Sequence, residues 1–232
     1  MSETPTRPPA PKRGIISTPL SLLGRVCATL LTSVFFSLIV EWVGIAFFWP
    51  EQGAEHSHQM MNTELHWFSE NVTHSVLVSD PAGTLTDILQ QTWNGLFVDT
   101  GFIPWAERLR HRPDFEALSW VSTYLQATVY IILTFVLRVF ILVLTAPLFL
   151  LAALIGMTDG LVRRDIRRFG NGYESGFIYH HAKQLMMPVF FLAWLLYLSL
   201  PFSVNPTVIL LPAAFLFGLI ISITTGSFKK YL

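Results

Sequence analysis

The sequence predicts an all-α integral membrane protein: four transmembrane helices, with a mostly helical extracytoplasmic loop between the first and the second. Three observations carry this reading. Apolar residues make up 52% of the 232-residue chain and charged residues only 13%, whereas an ordinary soluble domain carries about 25% charge. The apolar residues come in blocks rather than in amphipathic stripes, which is the pattern of membrane spans. The polar segments between the blocks alternate in sign, basic then acidic then basic. Fifteen Lys/Arg against fifteen Asp/Glu argue against a general nucleic-acid binder, and the lone Cys27 excludes an internal disulfide or a cysteine-clustered metal site.

Residues 1–26 read as a disordered basic cytoplasmic tail followed by an interfacial segment. Four prolines with Arg7, Lys12 and Arg13 fill Met1–Gly14, and Ile15–Leu23 can form a short helix on the membrane surface. The first span is expected at 27–49, and about 23 residues suffice to cross a core of ~30 Å. The acidic loop 50–126 contains two helical patterns. Ser57–Val78 places Met61, Leu65, Phe68 and Val72 at spacings of three and four, and Asp80-Pro81-Ala82-Gly83 ends it. Thr84–Phe97 follows with Thr84 as N-cap. Gly101 and Pro104 break the pattern, and Asp114 opens a helix that leads into the second span. These loop helices are expected to pack on one another and on the membrane surface.

The second span, 127–157, is longer than a perpendicular helix needs, so tilt or a kink near Pro147 is expected. A basic cytoplasmic loop, 158–184, precedes two shorter spans at 185–202 and 207–223. The four residues between these spans allow only a tight turn, so they form an antiparallel hairpin. Residues 224–232 complete the chain as a cytoplasmic tail. Charge sets the orientation. The segment to Arg25 holds four Lys/Arg and one acid, the 50–126 loop three and ten, and the 158–184 loop five and three. Basic segments stay inside, which places both termini in the cytoplasm and the acidic loop outside.

Few residues suggest chemistry. Glu41 and Arg138 lie inside spans, at depths of about 12–17 Å below the outer surface, where facing each other is the economical arrangement. Such a pair serves either as a proton or substrate relay or as an assembly clamp. With no third polar partner evident, the clamp is the simpler reading. Arg163, Arg164, Arg167 and Arg168 cluster at i, i+4 if their segment is helical. They suit docking on a partner or on anionic lipid, and a juxtamembrane amphipathic pattern favours lipid. No Gly-x-Ser-x-Gly surrounds Ser175, and it and His180 lack the third orienting group of a nucleophilic site. Glu55, His56, His58, Glu64, His66 and His74 offer metal ligands, but histidines on a solvated helix are more often surface. Neither a cofactor nor a catalytic role is expected.

The strings Pro147–Ala153, Asp159-Gly-Leu-Val-Arg-Arg-Asp-Ile-Arg-Arg-Phe-Gly170 and Glu174-Ser-Gly-Phe-Ile-Tyr-His-His-Ala-Lys183 resemble the integrating conjugative element membrane protein family. That resemblance implies a four-span inner-membrane accessory of conjugative DNA transfer, commonly encoded beside the coupling ATPase of a type IV secretion system. It brings no catalytic or binding residues with it. The expected function is therefore a structural or assembly partner of that ATPase or of other secretion-system subunits. It would contact membrane lipids and bind no nucleic acid sequence-specifically. The alternative is a small transporter or channel that uses Glu41 and Arg138.

Overall fold

The computed structural model describes residues 17–72, 75–102, 104–105, 108, 116–169 and 176–227. Among the described residues six α-helices follow one another: α1 (Ser17–Phe47), α2 (Ala54–Asn71), α3 (Pro81–Trp93), α4 (Glu116–Phe169), α5 (Gly176–Ser199) and α6 (Pro206–Gly226). A π-helical turn over Asn94–Val98 extends α3. No strand occurs among the described residues. Four helices are long and apolar enough to cross a membrane, over Leu20–Phe47, Trp120–Arg167, Tyr179–Ser199 and Pro206–Gly226. The expected tail 1–14, the opening of a helix at Asp114 and the C-terminal tail from Phe228 lie outside the described residues. Among the described residues α1 runs unbroken from Ser17, so Ser17–Leu23 is continuous with the first span and not a separate surface helix.

Local chemistry accounts for the starts and turns. Asp80, not Thr84, caps α3. Its carboxylate accepts from the Gly83 N–H at 3.0 Å, and Pro81 supplies a first-turn φ already suited to a helix. Asn205 and Pro206 open α6 in the same way, with the Thr207 N–H donating to the Asn205 side chain. Between α1 and α2 the Trp49 indole folds back onto Gly44, where a Cβ would overlap the ring. Gly53 turns the chain with φ +53°, a left-handed conformation that glycine adopts without steric cost.

α4 has 54 residues, about 81 Å of helix at 1.5 Å per residue. That is far more than one bilayer crossing, and its two halves have different surroundings. Towards its N-terminus Val129 and Leu133 pack with Phe97, Met61, Leu89 and Phe102, so α2, α3 and the π turn cover this part as a cap. The loop helices thus find their apolar partner on α4 itself. Towards its C-terminus α4 is joined by α5 and α6. Phe149 meets Phe190 of α5 and Phe217 of α6, with ring centroids 5.4 and 6.2 Å apart.

The closest helix pair is α4 with α6. Ala152, Gly156 and Gly160 face Ala214, Gly218, Ser222 and Gly226, small residues at every fourth position on both sides. A Cβ at Gly156 would overlap the Gly218 carbonyl oxygen, and one at Gly160 would overlap the Thr225 hydroxyl. Helices in lipid gain little from the hydrophobic effect, so close backbone approach of this kind is what holds them together. At the end of the seam Ser222 donates to the Asp159 carboxylate at 2.5 Å, while Arg163 Nε lies 3.0 Å from it. The basic segment from residue 158 is therefore the last turns of α4 and not a loop until Phe169. Pro147 sits inside the same continuous helix.

Candidate functional site

Most of the polar chemistry in the interior converges on Arg138. Its side chain is 2% exposed, yet it is surrounded by acceptors. Nε donates to both Glu64 oxygens at 3.1 and 3.0 Å, and Nη2 donates to Oε1 at 2.5 Å. Nη1 reaches the Leu200 carbonyl at 2.6 Å and, more weakly, those of Tyr197 and Leu198 at 3.4 Å. Nη2 also donates to the Phe202 carbonyl at 3.0 Å. The guanidinium lies 5.8 Å from the Tyr197 ring centroid.

The arrangement has a clear electrostatic logic. Tyr197 and Leu198 end α5, and Leu200 and Phe202 lie in the turn to α6. Carbonyls at a helix C-terminus lack intrahelical donors and carry the negative end of the helix dipole, so a fixed cation there is favourable. One arginine thereby ties together three parts of the chain: α4, which bears it; α2, which brings Glu64; and the α5–α6 turn. Burial lifts the Glu64 carboxyl above its ordinary range, and its bonds to Arg138 pull it back.

The structure does not bring Glu41 and Arg138 together. The Glu41 carboxylate instead accepts from Ser57 Oγ at 2.6 Å and lies 2.9 Å from His56 Nδ1. His56 is held in place by Trp49, whose ring stacks on it with centroids 4.1 Å apart. Glu41 thus fastens α1 to the start of α2, while Arg138 fastens α4 to the middle of α2. The reason is positional. Arg138 sits level with the α5–α6 turn, and α2 folds back along α4 to reach it. The partner came from a loop helix instead of another span.

The sequence offered Glu64 and His56 only as metal ligands, and it did not mark Ser57 or the turn carbonyls as site groups. The buried face of α2 is Ser57, Met60, Glu64 and Phe68, one position off the apolar face expected from Met61, Leu65, Phe68 and Val72. The usable signal was an acid at helical spacing between Met60 and Phe68, next to a span with an arginine in need of an anion.

Among the described residues no group of three or more His, Cys, Asp or Glu side chains is placed to hold a metal ion. His74, Ser175 and the segment 170–175 lie outside the described residues. An apolar cavity of about 310 Å³ is lined by Trp67 and Phe68 of α2, by Val72 just past its end, by Ile141 and Leu148 of α4 and by the start of α6. None of its lining side chains is ionisable. Arg163 and Arg164, at the far end of α4, pair with Asp159 and Asp165 respectively, the latter at 3.7 Å. Arg167 follows one turn on in the same helix.

Residues 48–229 match the family model described as IncC plasmid conjugative DNA transfer protein DtrJ-like. The chain belongs to the DtrJ-like family. The match covers α2 to α6, so every group bonded to Arg138 lies within it. The association with conjugative DNA transfer that the 147–183 strings implied stands at the level of the family. No curated protein and no solved structure matches this DtrJ-like chain.

Proposed function

We propose that this DtrJ-like protein is an inner-membrane accessory of a conjugative type IV secretion system, a structural or assembly partner of the coupling ATPase. Both termini and the inner end of α4 lie in the cytoplasm; α2 and α3 lie outside. It is not an enzyme and holds no cofactor. It touches lipid through its spans and protein through its cytoplasmic end. The observation that carries a structural reading over a transport reading is the saturation of Arg138. Each of its three nitrogens already donates to Glu64 or to backbone carbonyls. A clamp uses its donors in this way, whereas a solute pathway needs ionisable groups open to water. Family membership supports the conjugative setting.

Orientation is tested by fusion to a reporter active only outside the cytoplasm. Fusions near Gln91 or Val204 are expected to be active, and fusions at Gly172 or after Leu232 silent. Activity at Gly172 would invert the topology and remove the proposed partner contact. The contact itself is tested by reversing Arg163, Arg164, Arg167 and Arg168 to Glu. Insertion should persist, because Arg25, the N-terminal charges, Lys229 and Lys230 still bias orientation. Transfer should fall, and compensating Lys substitutions on the ATPase should restore it. Normal transfer by the quadruple variant at normal abundance would exclude this end of the helix from the mechanism.

A further inference from the structure

We propose that the protruding inner end of α4 is a docking surface for an acidic amphipathic helix of a protein partner. The inference rests on the membrane disposition proposed above and goes beyond it by specifying the chemistry of the contact. It begins with where the neighbouring helices stop. Gly226, the last residue of α6, lies against Gly160, and a Cβ on it would come within 3.9 Å of the Arg163 Cβ. In α5 Phe190 faces Phe149, and the two helices run antiparallel. Gly176, which begins α5 fourteen residues before Phe190, is therefore level with about Arg163. Among the described residues α4 continues beyond that level without α5 or α6 as far as Phe169.

The polar residues mark where the bilayer ends. Asp159 on α4 accepts from Ser222 on α6, with Thr224 and Thr225 on the next turn, and the Phe149–Phe190 register puts His180, His181 and Lys183 of α5 at about the same height. Ile166 and Phe169 lie six and nine residues past Gly160, roughly 9–14 Å further along the axis at 1.5 Å per residue. An interfacial helix hides its apolar stripe by lying in the plane of the membrane. This segment is the uninterrupted continuation of a membrane-crossing helix, so it stands off the surface and lipid does not reach its stripe.

That stripe is well formed. Val162, Ile166 and Phe169 occur at i, i+4 and i+7 and are 57%, 65% and 95% exposed. Arg167 and Arg163, the latter paired with Asp159 at 3.0 Å, line one flank, and Asp165, which Arg164 partly neutralises, lies on the other. A contiguous apolar ridge in water signals a protein contact. A two-turn ridge of this spacing fits the groove of another helix. The arginine flank selects a helix with carboxylates beside its apolar face.

The test uses the full chain in nanodiscs, with Cys27→Ser as background and a fluorophore on Phe169→Cys. The probe should be quenched by aqueous iodide and not by lipids with brominated tails. The unlabelled protein is then titrated with two short amphipathic helical peptides that share a leucine stripe, one flanked by Glu and the other by Lys. The Glu peptide should bind about tenfold more tightly than the Lys peptide, with the difference shrinking at high salt. Ile166→Ser with Phe169→Ser should weaken it about tenfold. Both positions are exposed, so unchanged helicity will confirm that this variant folds. Quenching by brominated lipid, equal affinity for the two peptides, or full binding by the double-serine variant would each overturn the proposal. Rapid disulfide formation between Phe169→Cys copies would assign the stripe to a second copy instead and overturn it as well. Reporter activity at Gly172 with peptide binding intact would remove the cytoplasmic placement and leave the docking surface standing.

Discussion

Arg138→Gln alone should sharply reduce the amount of folded protein in the membrane, and Glu64→Gln alone should do so to a similar extent. Each change leaves the other charge buried without its counter-ion, at a cost of roughly 3–5 kcal/mol. The two changes differ in what else they disturb. Losing Arg138 also orphans the Leu200 and Phe202 carbonyls, to which it donates at 2.6 and 3.0 Å. Losing Glu64 leaves those bonds in place. Arg138→Met combined with Glu64→Leu should recover much of the loss. Recovery will stop short of wild type by about 1–3 kcal/mol, the cost of buried acceptors left unpaired. The measurement is membrane-fraction abundance together with thermal unfolding in detergent. Single variants as stable as the wild type would show that the arginine is solvated and not clamped.

The same series separates the observed pairing from the one the sequence suggested. Glu41→Gln can still accept a hydrogen bond from Ser57 and His56, so its cost should be smaller than that of Glu64→Gln. Coupling between Glu64 and Arg138 should be strong in a double-mutant cycle, because they share bonds. Glu41 and Arg138 have no bond in common, and their effects should add within about 0.5 kcal/mol. A large Glu41–Arg138 coupling would restore the pair expected from the sequence.

What could be read from the sequence, and what could not, follows from the range of each interaction. Apolar blocks, breakers and the tight turn before Asn205 are local, so the four candidate spans and the two loop helices emerged near their observed places. The cap of α3 was misplaced by four residues because Thr84 and Asp80 are both good capping residues. Only the adjacent Pro81, which fits the first turn, decides between them. The length of α4 was underestimated at its C-terminal end, where the loop expected from residue 158 is helical to Phe169. Hydropathy cannot distinguish a helix half covered by α2 and α3 from one covered by lipid, since Val129 and Leu133 serve either setting. The arginine site was half legible. A lone Arg138 in an apolar block demands an anion, but Glu64 is 74 residues away in sequence. Only the fold-back of α2 along α4 makes it the nearest acid. The small-residue seam was legible in principle, since Gly156 and Gly160 repeat at i, i+4 and α6 repeats the pattern. Its meaning depended on knowing that α4 and α6 run side by side.

The seam yields the second large effect. Gly156→Leu should separate α4 from α6 and lower the unfolding temperature by on the order of 5–10 °C, or prevent accumulation altogether. The obstacle is backbone, not side chain. A Cβ there would overlap the carbonyl oxygen of Gly218, with the rest of that peptide close behind, so no rotamer change relieves it. Gly160→Leu meets the Thr225 hydroxyl and the Ser222 carbonyl, and in moving α6 it would also break the bond from Ser222 to Asp159. Gly24→Leu and Gly95→Leu serve as controls, because nothing lies within 4 Å of a Cβ at either position. Both should cost little, and leucine is the better helix former in each case. If α4 and α6 were held mainly by the aromatic contacts of Phe149 with Phe217, Phe149→Leu would cost more than Gly156→Leu. The opposite ranking is expected. Replacing Phe149 removes ring contacts that neighbours can partly refill, whereas filling Gly156 pushes apart two backbones that have no room to yield.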